Sequence, residues 1–212
     1  LASLEDRREG NPENGGVETL PLRYPDRYSD DYWHIFTRAN NLGHTYPKIL
    51  VPMTALDTFA TVTYSDRLYC DNANMFFIHL NEISEANLYT VSGIINSTIF
   101  SVLARSIANP QASGYYKFNK QFLEPVAFPV ARYQSGTKLK EDIFNLAKTI
   151  EERQQEYIIA SPNQKKTIGL LLDRLWSNLD SKVYELYDLS AEEIIFFNKN
   201  GRHLDRVGIL NQ

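Results

Sequence analysis

Between residues 111 and 120 the chain reads Gln-Ala-Ser-Gly-Tyr-Tyr-Lys-Phe-Asn-Lys, a run rich in amides, flat rings and ammonium groups. Such groups recognise rather than make bonds. Lys and Arg suit phosphates and guanine edges, Asn and Gln pair with adenine edges, and Tyr stacks on a base or bonds a phosphate. The mixture suits a polyanion that carries information in its bases. The same composition also fits an ordinary polar surface loop, the default for a connecting segment.

Bond-making chemistry has little to work with. His34, His44, His79 and His203 show no metal-ligand spacing to one another or to the lone Cys70, so no metal site is expected. No glycine-flanked Ser or Cys marks a nucleophile. The paired acids Asp30-Asp31 and Glu192-Glu193 fit solvent exposure and helix-start electrostatics better than acid-base work. No catalytic role is expected for these residues.

The recognition run must be held by something apolar, and the segment before it supplies a stripe. Leu88, Val91, Ile95, Ile99 and Val102 recur at three- and four-residue steps, widened by Ile94, Leu103 and Ile107, which predicts one long helix over 88–107 ended by Asn109-Pro110. Asn96 and Ser97 interrupt its polarity, and local bonding to backbone explains them best. Strands are expected at 48–51, 59–64, 67–69, 75–80 and 126–130. Downstream, Leu139 to Tyr157 keep a helical stripe with Thr137 as its cap. Ser161-Pro162-Asn163-Gln164 then carries a capping signal ahead of a second stripe from Ile168 to Leu186. These two helices should fold back antiparallel. Ser190-Ala191-Glu192-Glu193 repeats the capping pattern and starts a short helix reaching about Asn198. The expected fold is therefore α+β: a small mixed sheet packed on one long helix, followed by an antiparallel helical hairpin. The divisions are 1–29, a linker or disordered lead-in; 30–135, the recognition domain; 136–200, the hairpin; and 201–212, a tail.

Composition bounds the rest. At 212 residues, 43% hydrophobic and 23% charged, the chain has room for one sizeable domain and an appendage. Its first residue is Leu and it opens in a polar stretch, so a piece of a longer polypeptide or a processed chain is expected. Cys70 alone allows no internal disulfide, and neither a signal-peptide pattern nor a membrane span is evident; a cytoplasmic location is the simplest expectation. A net charge of −4 argues against nucleic-acid binding when taken whole. Its distribution argues otherwise. Residues 101–140 hold six bases against one acid, whereas 141–198 hold eleven acids against six bases. Because salt screens charge beyond roughly 10 Å, a basic face can act on an acidic protein.

Several features occur in an order that resembles the TaqI-like C-terminal specificity domains of bacterial type IIG restriction-methyltransferases and, more distantly, type I specificity subunits. Trp33 with Arg38, Asn40, Asn41 and Leu42 looks like that family's opening motif, and Pro47 to Pro52 its first strand. Tyr69 to Ile78 resembles the next strand pair, Ile94-Ile95-Asn96-Ser97 the Leu-Asn-Ser helix, and Tyr116 to Lys120 with Phe128-Pro129 the closing basic loop and strand. Val183 to Ile194 is similar to the signature that ends the helical hairpin of this family, where such helices act as spacer and docking element. Asp188 stands where glycine is common, which puts the helix-ending geometry in question.

The resemblance implies a target recognition domain that reads a short sequence of double-stranded DNA, in the major groove, for methyltransferase and endonuclease modules of the same chain or complex. Arg38, Arg105, Lys117 and Lys120 are the expected phosphate anchors. Asn40, Asn41, His44, Gln111, Ser113, Tyr115, Tyr116 and Asn119 are the expected base-edge or loop-shaping residues. Neither the glycine-containing cofactor loop nor the Asn/Asp-Pro-Pro-aromatic motif of an adenine-N6 methyltransferase is present, since Asn109-Pro110-Gln111-Ala112 lacks the second proline and the aromatic. The nuclease motif has no convincing match either, Pro25-Asp26 being too short a coincidence. No cofactor is therefore expected in this segment; S-adenosylmethionine and Mg2+ would belong to the parent. A different reading is an assembly module of a restriction or phage-defence complex whose helices dock protein without touching DNA.

Overall fold

A computed structural model describes residues 47–65 and 75–201, all within one compact unit spanning 46–212. The expected lead-in, the strand at 67–69, and Trp33, Arg38, Asn40, Asn41 and His44 lie outside the described residues.

The architecture is α+β. Strand β1, Lys48–Pro52, is apolar from Ile49 onward and buried on both faces from Lys48 to Val51, as suits a central strand. It is the middle of an antiparallel sheet between β3, Thr61–Thr63, and β4, Met75–Ile78. Ile49 lies opposite Val62 on one side and Ile78 on the other. A second small antiparallel sheet has β6, Tyr116–Lys117, between β2, Thr54–Ala55, and β5, Asn109–Pro110. The expected strand at 126–130 does not form. Pro125 and Pro129 remove ladder donors at both ends of that run, and from Val130 the chain is helical.

The long helix predicted over 88–107 is two helices, α1 (Glu85–Ile95) and α2 (Thr98–Ile107), bent by 61°. The two polar residues cause the break. Ser97 adopts extended backbone and caps α2, its hydroxyl accepting from Phe100 N and donating to Ile94 O at 2.6 Å. The Asn96 amide acts like a strand neighbour, accepting from Ala60 N and donating to Ala60 O, both at 2.7 Å. One side chain thus ties the helix break to the residue entering β3. At the start of α2, the Asp180 carboxylate accepts from Thr98 N at 2.7 Å and Thr98 Oγ1 at 2.8 Å, an acid placed where helix N–H groups point outward.

Short helices α3 (Lys120–Leu123) and α4 (Val130–Ser135) lead into the hairpin of α5 (Thr137–Ile159) and α6 (Pro162–Tyr187). Thr137 is not the cap. Gly136 holds that position and closes α4 through its N–H to Arg132 O, leaving Thr137 as the first helical residue. The Ser161–Gln164 capping box and Pro162 at the helix start are as read from sequence. So is the Ser190–Glu193 box of α7, Ala191–Asn200. Asp188, at the doubtful helix end, adopts φ 61°, the left-handed backbone that glycine would take, with Leu189 N–H returning to Tyr184 O.

The hairpin does not stand apart. Ile143 and Ile150 of α5 and Leu172, Leu179 and Val183 of α6 share one core with Ile94, Ile99 and Phe118. Gly93 of α1 lets the helices approach, since a Cβ there would lie 3.1 Å from Ala147 Cβ and Ile143 Cγ2.

Candidate nucleic-acid interface

The recognition run is a small β-hairpin. Asn109 pairs with Lys117 and Pro110 with Tyr116, while β2 adds Thr54 and Ala55 on the other side of β6. Proline is tolerated because β5 is an edge strand. Gln111 N–H donates to Tyr115 O at 2.8 Å, closing the loop, and a tight turn spans Ala112–Gly114. Ser113 (φ 59°) and Gly114 (φ 79°) follow each other in left-handed backbone. Glycine adopts it freely, whereas a serine there costs on the order of 1 kcal/mol. Gln111 to Tyr115 are all exposed.

What keeps this loop in place lies just beyond it. Phe118 is completely buried, and its N–H donates to Met53 O at 2.7 Å. The Tyr116 ring stacks on Phe118 at 6.1 Å between centroids. Tyr116 and Lys117 are consecutive in a strand and so project to opposite faces of the ribbon. Asn119 occupies the cap position of α3 without a capping bond, and its Oδ1 is buried with no hydrogen-bond partner among the described residues.

The predicted anchors divide. Arg105 leaves the anchor set: its side chain is 11% exposed, its Nε lies 3.5 Å from Asp57 Oδ1, and its Nη2 donates to Asn200 O at 2.8 Å. A guanidinium so engaged serves packing between α2, α7 and the β2–β3 connection. Lys120 is exposed and pairs with Glu124 at 3.3 Å, a loose surface pair that a phosphate can displace. Lys117 is half-buried at the hairpin base and has no ion-pair partner among the described residues.

The basic surplus read from residues 101–140 is thus much reduced in space. Arg132 is paired with Asp188, Lys138 with Glu141 and Asp142, and Lys140 sits 4.9 Å from the Tyr133 ring centroid. The hydrogen bond from Lys138 holds the Asp142 carboxyl below its ordinary range. What projects is therefore an amide- and tyrosine-bearing tip with Lys117 and Lys120 close behind it in the chain, rather than a broad cationic face. Sequence reasoning missed Asp57, which takes Arg105, and the two-residue β2, which carries no periodicity to detect. No group of three or more His, Cys, Asp or Glu arranged to hold a metal occurs among the described residues. No single helix among them is long and apolar enough to cross a membrane.

Comparison with known families finds no family model that matches the chain, and no curated protein matches it.

Proposed function

We propose that this chain is a target recognition module for double-stranded DNA. It would serve methyltransferase and endonuclease modules carried by the same polypeptide or complex, which would bring S-adenosylmethionine and Mg2+. One observation carries the reading: the exposed Gln111–Tyr115 tip stands on a base anchored by the fully buried Phe118. A two-stranded β-ribbon is one of the elements the major groove of B-DNA admits. Gln111, Ser113, Tyr115 and Tyr116 are the base-edge or loop-shaping groups. Lys117 and Lys120 meet phosphates, and Asn119 shapes the turn.

Titrating duplex binding against salt tests this. Each lost phosphate contact lowers the slope of log K against log salt by roughly 0.9, so Lys117→Ala and Lys120→Ala should each weaken binding to every duplex and flatten that slope. Gln111→Ala should instead change preference among sequences. Slopes equal to wild type in both lysine variants would remove the hairpin from the DNA interface.

Exposed Ile158, Ile159, Leu170 and Leu171 on α5 and α6 favour a second reading, assembly through the helices. Deleting the hairpin cannot separate the two, because its inner face is part of the shared core. Ile158→Asp with Ile159→Glu tests the surface alone. Loss of partner-module capture with duplex affinity retained assigns the helices to docking. Absence of duplex binding by the wild-type chain within its parent supports assembly without DNA contact.

A further inference from the structure

The second sheet carries three polar side chains in one row. Lys117 of the central strand β6 lies directly opposite Thr54 of β2 on one side and Asn109 of β5 on the other. Directly paired residues of an antiparallel sheet share a face, with Cβ atoms about 4.5–5.5 Å apart. The adjacent row shows which face this is. Ala55, paired with Tyr116, is buried, and Tyr116 stacks on the buried Phe118, so that row faces the core and the row of Thr54, Lys117 and Asn109 faces away from it. Thr54 and Asn109 are exposed, and Lys117 between them is half-buried. None of the three makes a side-chain hydrogen bond or ion pair among the described residues.

An ammonium here brings charge, and a hydroxyl and a carboxamide place neutral O–H and N–H donors beside it. Lys, Thr and Asn all belong to the set of side chains that grip backbone phosphates. The alternation continues outward. Gln111 and Tyr115, joined by Gln111 N–H to Tyr115 O, follow two residues along the strands, roughly 7 Å toward the tip. Groups suited to phosphate thus stand one row behind groups suited to base edges. We infer that Thr54, Lys117 and Asn109 form a phosphate-binding row that grips the backbone of one strand of duplex DNA, Lys117 supplying the charge while the Thr54 hydroxyl and the Asn109 amide donate to phosphodiester oxygens. The inference rests on the reading of the hairpin as a DNA-contacting ribbon and adds Asn109, Thr54 and with it strand β2 to that interface.

Thr54→Val keeps a β-branched residue in the strand but removes the hydroxyl, Thr54→Ser keeps the hydroxyl, and Asn109→Ala removes the amide. The 212-residue chain is titrated with two duplexes of unrelated sequence across a salt series, with circular dichroism and thermal unfolding as controls for folding. Thr54→Val and Asn109→Ala should each weaken binding about 3- to 10-fold on both duplexes. Because the lost groups are neutral, their plots of log K against log salt should run parallel to wild type, whereas Lys117→Ala lowers the slope. Thr54→Ser should bind as wild type does, and Asn109→Asp should bind more weakly than Asn109→Ala, since its carboxylate competes with phosphate for Lys117. Wild-type affinity in a folded Thr54→Val or Asn109→Ala overturns the row. So does a loss confined to one duplex, because a phosphate contact carries no sequence information. If either occurs while Lys117→Ala still flattens the slope, the hairpin reading stands without the row; if the wild-type chain binds neither duplex, both fall.

Discussion

Phe118→Ala removes the ring on which the β5–β6 hairpin rests. Phe118 is wholly inaccessible to solvent and belongs to the main core, touching the same cluster as Ile94, Ile99 and Leu179. Truncating a buried Phe to Ala loses transfer free energy and leaves a cavity, together about 3–5 kcal/mol. A domain holds only about 5–15 kcal/mol in all, so a large share of the stability should go. For a protein of this length about 1 kcal/mol moves the thermal midpoint roughly 2–4 °C, so a drop of roughly 6–20 °C is expected. Tyr115→Ala, at the exposed tip, is the control and should change stability by no more than about 0.5 kcal/mol. Urea and thermal denaturation of the two variants beside wild type provide the measurement. If Phe118→Ala and Tyr115→Ala cost the same, or Phe118→Ala costs less than about 1 kcal/mol, the hairpin is not anchored through this ring and the argument for a positioned tip fails.

Asn96→Ala deletes the amide that serves both backbone groups of Ala60 and should cost roughly 2–3 kcal/mol, with amide exchange near Ala60 accelerated; wild-type exchange there would contradict the bridging role. Ser190→Ala removes the cap of α7 and should cost about 0.5–2 kcal/mol, read as faster exchange in residues 191–194, and unchanged protection would refute it. Burial against β3 raises the Glu151 carboxyl above its ordinary value of 4.5, outweighing its bonds from Val62 N, Thr61 and Tyr89. The folded chain then holds this proton more tightly than the unfolded chain does. Its contribution to stability is complete below 4.5 and disappears as pH rises through the elevated value. Glu151→Gln should therefore gain stability relative to wild type as pH rises across that window in urea denaturation, and a difference independent of pH would rule this out.

Helices α5, α6 and α7 were legible because their signals are local. The capping boxes at Ser161 and Ser190, the proline at 162 and the stripes of α5 and α6 involve residues within a turn or two of each other, so composition and spacing suffice. The polar loop at 111–115 was legible for the same reason, and β1 was visible as a short apolar run. The break at Asn96-Ser97 was half visible: the polar pair stood out, but nothing nearby revealed that Ala60, 36 residues away, would occupy the Asn96 amide. The run at 126–130 was apolar enough for a strand, yet Pro125 and Pro129 withhold ladder donors at its ends and the chain turns helical from Val130.

Charge was the least legible property. Arg105 and Lys117 look alike in a string of letters. Asp57, 48 positions before Arg105, takes the guanidinium out of play, while the lysine keeps its ammonium for other partners. Periodicity and caps report interactions along the chain, and these the sequence alone determined. Which cations remain available, which ring anchors the hairpin, and which donors flank Lys117 across the sheet depend on contacts across the fold, and only the tertiary structure decided them.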